Sequence, residues 1–253
     1  MRDPRSILIT GASSGLGAAL ARAYAGSGVR LALTGRDRNR LAQVADECRL
    51  LGAAVESAPI DVTEADALAG WMAAIDARRP LDLVIANAGV SGGSAGGGEG
   101  LAQIRRIFAV NIDGVLNTVM PAIALMRPRG RGQIALMSSL AGFRGLPGSP
   151  AYSASKAAVR VHGEALRGLL RRDGLQVSVI CPGYVRTPMT AANRFPMPLL
   201  MDAERAATIM KRGLARGKAR IAYPLAMYAV VWLAQALPPG WLDPIFARLP
   251  AKR

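Results

Sequence analysis

Strand-like and helix-like segments take turns along most of this chain, and that alternation restricts the fold more than any other feature. SILIT (6–10), VRLALTG (29–35), AAVESAPID (53–61), LDLVIANAG (81–89), GQIALMSS (132–139) and LQVSVICPG (175–183) are short apolar runs of strand length. Between them, 15–28, 38–52, 63–79, 99–127 and 151–173 have the pattern of helices. TEADALAGWMAAIDARR (63–79) opens on a good N-cap residue and closes on arginines, which suit the negative end of a helix. Strands joined by helices imply right-handed crossovers and a parallel sheet covered on both faces. The expected fold is α/β, a doubly wound parallel sheet in a single domain, with no repeat or linker dividing the first 190 residues.

The first strand-to-helix loop is the most informative. TGASSGLG (10–17) follows the first strand and opens the first helix. Gly11, Gly15 and Gly17, with Ser13, Ser14 and Leu16 among them, stand where a backbone turns tightly and approaches a pyrophosphate at a helix N-terminus. The spacing G-x-x-x-G-x-G differs from the commoner G-x-G-x-x-G, and a plain tight turn is the competing reading. The second strand ends in LTGRDR. In a Rossmann-like sheet this corner meets the adenosine ribose, where an acid suits a 2′-hydroxyl and an arginine a 2′-phosphate. Arg36 therefore points to NADP, with NAD the alternative because Asp37 follows it.

YSASK (152–156) places a tyrosine and a lysine one helical turn apart. A tyrosine alone, with a pKa of about 10, is a poor proton donor, and a nearby ammonium favours its phenolate. The pair reads either as a tuned acid/base or as an ordinary polar helix turn.

Four motifs now stand in one order, TGASSGLG (10–17), NAG (87–89), SS (138–139) and YSASK (152–156), followed by PGYVRTP (182–188). Over residues 6–190 this resembles the short-chain dehydrogenase/reductase family. The resemblance implies that Tyr152 is the catalytic acid/base and that Lys156 binds the nicotinamide ribose and lowers the tyrosine pKa. It makes Ser139, thirteen residues before Tyr152, the hydrogen-bond donor to the substrate oxygen in preference to Ser138. Asn111 matches a helix asparagine supporting a proton-relay water. Asn87, Ala88 and Gly89 match a segment on the adenosine side, and Asp61 and Val62 an adenine-contacting pair. Pro182, Gly183, Val185 and Thr187 match the loop over the nicotinamide. The activity implied is hydride exchange between NADP(H) and a ketone or secondary alcohol, in a homodimer or homotetramer using helices 99–127 and 151–173. A non-catalytic nucleotide-binding regulator on the same fold is the rival, against which the full Asn–Ser–Tyr–Lys set argues.

Composition excludes other classes. The 32 basic against 17 acidic residues raise nucleic-acid binding. However, the densest runs, 127–131, 167–172 and 211–220, carry no interleaved aromatics to stack on bases, so no nucleic-acid partner is expected. There is only one histidine, His162, read as a helix-surface or interface residue, which argues against nucleophilic serine hydrolysis. Cys48 and Cys181 make neither a disulfide framework nor a metal cluster, no metal is expected, and the compartment reads as cytoplasmic.

Residues 191–253 are expected to supply a substrate lid and an apolar tail to the same domain. MTAANRFPMPLLM (189–201), with its methionines, suits an adaptable apolar pocket, so the small-molecule substrate is expected to be apolar or lipid-like. From Ile221 to Leu237 there is no charge. With basic residues on both sides and Trp232 and Trp241 within reach, 211–241 is expected to touch the inner face of a membrane peripherally, or a partner subunit. A spanning helix is the weaker alternative, since Pro224 shortens a run already near the lower limit.

Overall fold

The computed structural model describes residues 3–92, 98–193 and 195–246. Seven strands form one parallel sheet: β1 (Ser6–Thr10), β2 (Arg30–Thr34), β3 (Ala54–Ala58), β4 (Leu83–Ala86), β5 (Gly132–Met137), β6 (Leu175–Pro182) and β7 (Arg220–Tyr223). Their order is β3-β2-β1-β4-β5-β6-β7, so the winding reverses between β1 and β4 and a crevice opens beyond the carboxyl ends of those strands.

The apolar runs are short and uninterrupted because β1, β4 and β5 are buried on both faces. Successive side chains of β1 point to opposite sides. Ile7 and Ile9 pack with Leu20 of α1 (Gly15–Tyr24), Leu41 of α2 (Arg38–Leu50) and Met210, on a helix nearer the C-terminus. Leu8 packs with Leu68 and Met72 of α3 (Ala65–Arg78) on the other face. Each such side chain, fully buried, is worth roughly 1.5–3 kcal/mol of transfer free energy.

The predicted helix 99–127 is interrupted. It comprises α4 (Leu101–Phe108), a π-helical turn (Ala109–Asp113) and α5 (Gly114–Met126). The cause lies at Asn111, whose buried side chain reaches out of the helix to bond both backbone groups of Val90 and the Ser155 hydroxyl. A π-turn of this kind often marks a functional position. Helix α6 (Pro150–Leu169) follows, as expected for 151–173, and ends in a 3₁₀ turn.

The C-terminal third departs most from the sequence reading. A short helix α7 (Pro188–Ala191) leads to α8 (Ala203–Ala215). The uncharged run from Ile221 then divides. Its first residues belong to β7, paired with β6 in the register Ile180↔Ile221 and Pro182↔Tyr223. Only α9 (Leu225–Ala236), twelve residues, is helical, and a second short helix α10 (Pro239–Phe246) follows. At 1.5 Å per residue α9 is about 18 Å long, short of the ~30 Å hydrocarbon core, so the spanning alternative for this run does not hold. Leu101–Arg129 is long and apolar enough to cross a membrane, but half of its apolar window is buried inside the protein. Of the glycine-rich run 91–98, residues 93–97 lie outside the described residues, as do the terminal Arg248, Lys252 and Arg253.

Candidate active site

The crevice at the winding reversal is a cleft of about 410 Å³. Its floor is the loop after β1. Gly11 and Gly15 both have positive φ, 66° and 55°. A Cβ on Gly11 would stand 2.7 Å from the Ala88 Cα, and one on Gly15 3.2 Å from Thr187 across the cleft. The loop is therefore built to bring backbone close to whatever enters. Ser14 is the N-cap of α1, yet its side chain makes no capping bond, so it does not take up the N–H groups of the first turn, which borders the cleft.

Asn87 fastens this floor to β4. Its Nδ2 donates to the carbonyls of Thr10 and Gly11 at 2.9 and 3.2 Å, and the Thr10 hydroxyl accepts from the Asn87 and Ala88 N–H groups. Asp61 accepts from the Thr63 N–H and hydroxyl, and its other oxygen lies 3.7 Å from Arg36 Nε. The Val62 carbonyl accepts from Asn117 Nδ2.

Ser139, Tyr152 and Lys156 meet at the other end of the cleft. Ser139 lies two residues beyond β5 and caps a 3₁₀ turn (Leu140–Gly142), accepting from the Ala141 N–H at 3.1 Å. That turn lies hard against α6: a Cβ on Gly142 would be 2.7 Å from the Lys156 carbonyl carbon. Arg160 Nε also holds the Gly142 carbonyl, and its guanidinium stacks on Phe143. Ser138 is buried and donates to the Lys156 carbonyl at 2.7 Å, which leaves the reaching position to Ser139.

Burial pushes the Tyr152 phenol above its ordinary pKa, while a hydrogen bond with Ser139 pulls it down. Burial pulls the Lys156 ammonium down to about 8. Its Nζ donates to the Met137 carbonyl at 2.9 Å. On balance the Tyr152 phenol stays above its ordinary value, and the contact that opposes the burial is with Ser139 rather than Lys156.

Of the residues picked from the sequence, Gly11, Ser13, Ser14, Gly15, Leu16, Arg36, Asp61, Val62, Asn87, Ala88, Gly89, Ser139, Tyr152, Lys156, Pro182, Gly183, Val185 and Thr187 all line the cleft. Two do not. Gly17 sits behind the loop, where a Cβ would come 2.1 Å from the Gly11 carbonyl oxygen, so it serves helix-to-loop packing rather than ligand contact. Asn111 is fully buried and its side chain is spent on Val90 and Ser155, so it shapes the wall from behind. Arg40, Ile60, Val90, Val110 and Thr190 also line the cleft and were not picked. Arg40, one turn beyond Arg36, carried the only readable signal. Asp37 caps α2 by accepting from the Arg40 N–H at 3.0 Å.

A loop-to-helix anion cradle facing a Ser–Tyr–Lys cluster is matched by comparison with known proteins: residues 5–196 fit the description of the short chain dehydrogenase family. The chain belongs to that family. An uncharacterized oxidoreductase of Myxococcus xanthus is 42% identical over 246 residues, 97% of each chain. Among solved structures, a short chain dehydrogenase/reductase from Burkholderia phymatum in complex with NAD has a TM-score of 0.84 at 26% identity, covering 100% of this chain and 98% of that one. A short-chain dehydrogenase from Sphingobium yanoikuyae in complex with NADPH has a TM-score of 0.80 at 27% identity, covering 98% and 97%. This short-chain dehydrogenase is therefore an NAD(P)-dependent oxidoreductase. The glycine cradle fits a dinucleotide, since a side chain at Gly15 would narrow the gap to Thr187.

Proposed function

We propose that this short-chain dehydrogenase interconverts a ketone and a secondary alcohol using NADP(H), on an apolar, lipid-like small molecule. The observation carrying the reading is the convergence of Ser139, Tyr152 and Lys156 at one end of a cleft whose other end holds the glycine cradle and Arg36.

The nicotinamide supplies or accepts the hydride. The chain's part is to orient the substrate oxygen and move its proton. In reduction, the Ser139 hydroxyl and the Tyr152 phenol donate to the substrate oxygen as negative charge develops there, and Tyr152 gives up its proton. In the reverse direction the Tyr152 phenolate takes the alcohol proton. Lys156, anchored by the Met137 carbonyl, supplies positive charge beside the phenol and a donor for ribose hydroxyls. Asn111 acts through Val90 and Ser155 as a positioning residue.

NADP is favoured by the arginines at the adenosine end. Arg36 is half-exposed with Asp61 at 3.7 Å, and Arg40 stands beside it. Asp37, the acid that would suit a 2′-hydroxyl, is occupied as the α2 cap. Apolar substrate preference is supported by the lid, where Met189 borders the cleft and Tyr184 packs edge-on against Phe195. Self-association through α4–α6 is supported by exposed Leu101, Phe108, Met120, Val161 and Leu169.

The deciding experiment is titration of the purified protein with NADPH and NADH by cofactor fluorescence. NADPH should bind at least about tenfold tighter, as expected for one charge-assisted contact, and Arg36→Ala should erase the preference. Equal affinity, or tighter NADH, overturns the NADP assignment; absence of binding to either overturns the site.

A further inference from the structure

The stripe of α6 that carries Tyr152 and Lys156 continues at the same spacing into Arg160 and Glu164, each one turn further on. Arg160 reaches the turn that Ser139 caps. Its Nε donates to the Gly142 carbonyl at 3.3 Å, and its Nη1 to the two Glu164 oxygens at 3.3 and 3.5 Å. Arg220, the first residue of β7, donates to Glu164 Oε1 from Nε at 3.1 Å and also from Nη2. Its Nη1 donates to the Tyr228 hydroxyl of α9 at 2.8 Å. Both guanidinium groups lie against the Phe143 ring, their central carbons 4.6 and 5.3 Å from its centroid, and the Tyr228 ring meets it edge-on at 5.5 Å.

These contacts end on the segment that aims Ser139. The Ser139 hydroxyl is fixed by the Ala141 N–H and the Pro182 carbonyl, at 3.1 and 3.3 Å. The turn closes through the Gly142 and Phe143 N–H groups on the Ser139 and Leu140 carbonyls. The direction of the hydroxyl therefore depends on what holds Gly142 and Phe143. Ion pairs that are partly buried, as these are, are poor sources of stability, because desolvation offsets much of the attraction. What a guanidinium supplies is direction: its planar fork holds a carbonyl, a carboxylate and a ring at set angles. The inner residues of α9, Met227, Tyr228 and Val231, pack onto Leu140 and Phe143 of the same turn.

The geometry points to Arg160, Glu164, Arg220 and Tyr228 as positioning residues that hold the Ser139 turn in register with Tyr152 and so tie the C-terminal segment to the catalytic hydroxyl. None of the four lines the cleft, so they act through the turn. The inference rests on the reading of Ser139 and Tyr152 as the groups that meet the substrate oxygen.

Two measurements on the full chain test it. In Arg160→Met, amide hydrogen exchange should rise by about tenfold or more at Gly142 and Phe143 and stay unchanged in β1 and β4, which the network does not touch. Steady-state reduction of acetophenone and cyclohexanone, with the tighter-binding of NADPH and NADH, is then compared in wild type, Arg160→Met, Ser139→Ala and the double variant. Arg160→Met should lower kcat by about tenfold to a hundredfold with the cofactor KM unchanged. In the Ser139→Ala background the same change should cost less than about threefold, because the group it positions is gone. Cofactor binding checks that each variant is folded. If Arg160→Met fails that check, Glu164→Gln, which keeps the shape and removes the charge, should show the same pattern. Equal loss of kcat in both backgrounds overturns the proposal and leaves the reading of the site intact. So does exchange that is unchanged at the turn or raised throughout the chain. A wild type that reduces neither ketone counts against the ketone-reductase reading instead, and the exchange result alone then decides whether the network holds the turn.

Discussion

The Lys156 ammonium lies 5.8 Å from the centre of the Tyr152 ring, and its hydrogen bond runs to the Met137 carbonyl. Lys156 is buried and Tyr152 half-buried at the cleft wall, one turn apart on α6. Burial disfavours the charged form of each, which gives their titration opposite signs: the phenol moves up and the ammonium moves down.

The ammonium makes the cofactor-free protein sensitive to alkaline pH in an unusual direction. Lys156 titrates near 8 in the folded chain and near 10.5 in the unfolded one. Between those values the unfolded state binds more protons, so this group's contribution to stability rises with pH. Below pH 8 its burial is a full penalty, relieved as pH climbs. Cys48 and Cys181, raised to about 11 and about 12, act in the opposite sense above pH 9. Comparing denaturation of wild type and Lys156→Met cancels the cysteines. The wild type should gain about 1 kcal/mol relative to the variant from pH 8 to 9. A constant difference across that window would contradict the assignment.

Tyr152→Phe should reduce turnover by about 10²–10⁴-fold while leaving cofactor affinity within a factor of a few, because the lost group moves a proton and does not hold the dinucleotide. Ser139→Ala removes the hydrogen bond that lowers the phenol pKa. Alcohol oxidation needs the phenolate, so its rate should rise with pH, and in Ser139→Ala that rise should move to higher pH. Steady-state rates across pH in both directions check this. An unmoved profile would remove Ser139 from the proton path.

Two glycines predict opposite outcomes for the same change. Gly17→Ala places a methyl 2.1 Å from the Gly11 carbonyl oxygen and 2.6 Å from Asn87 Nδ2, so the loop or the helix must shift. A loss of about 1–3 kcal/mol is expected, together with weaker cofactor binding because the cradle moves. Gly70, exposed within α3, has nothing within 4 Å of its Cβ position. Gly70→Ala should stabilise by about 0.5–1 kcal/mol and leave binding alone. Chemical denaturation of both variants gives the comparison.

Asp76 and Arg129 join α3 to the turn after α5. Arg129 Nη1 and Nη2 each donate at 2.8 Å to one Asp76 oxygen, and both side chains are largely covered. Arg129 also donates to the Leu81 and Leu125 carbonyls, and Asp76 accepts from the Leu81 N–H. Asp76→Ala leaves a mostly buried guanidinium without its counter-charge, and should cost about 3 kcal/mol in urea denaturation. The pair is remote from the cleft, so the affinity for NADPH should stay unchanged.

Much of the site was legible because its residues are local. The cradle is one loop, Tyr152 and Lys156 share one helical turn, and 87–89 directly follow a strand, so spacing along the chain already implies spacing in space. Gly17 was read as a cofactor contact, whereas the structure puts its Cβ position against the Gly11 carbonyl behind the loop: a glycine pattern does not say which side of the backbone is crowded. Arg40 was missed because its place depends on how α2 leaves β2. Asn111 lies in a run of unbroken helical pattern. Its π-turn arises from bonds to Val90 and Ser155, 21 and 44 residues away, which leave no trace in local periodicity.

The C-terminal run shows the same limit. By itself the sequence determined the doubly wound sheet, because apolar runs of strand length alternating with amphipathic helices can bury their faces in few other ways. It also picked out most of the residues that line the cleft, because they sit in short motifs at strand ends. Only the tertiary structure decided that Ile221 lies in the last strand rather than in an apolar helix. Pairing of β7 with β6 satisfies backbone groups that composition does not reveal, and it leaves α9 too short to span a bilayer and half uncovered. Which faces remain uncovered is a property of the packed whole, set by neighbours far away in the chain.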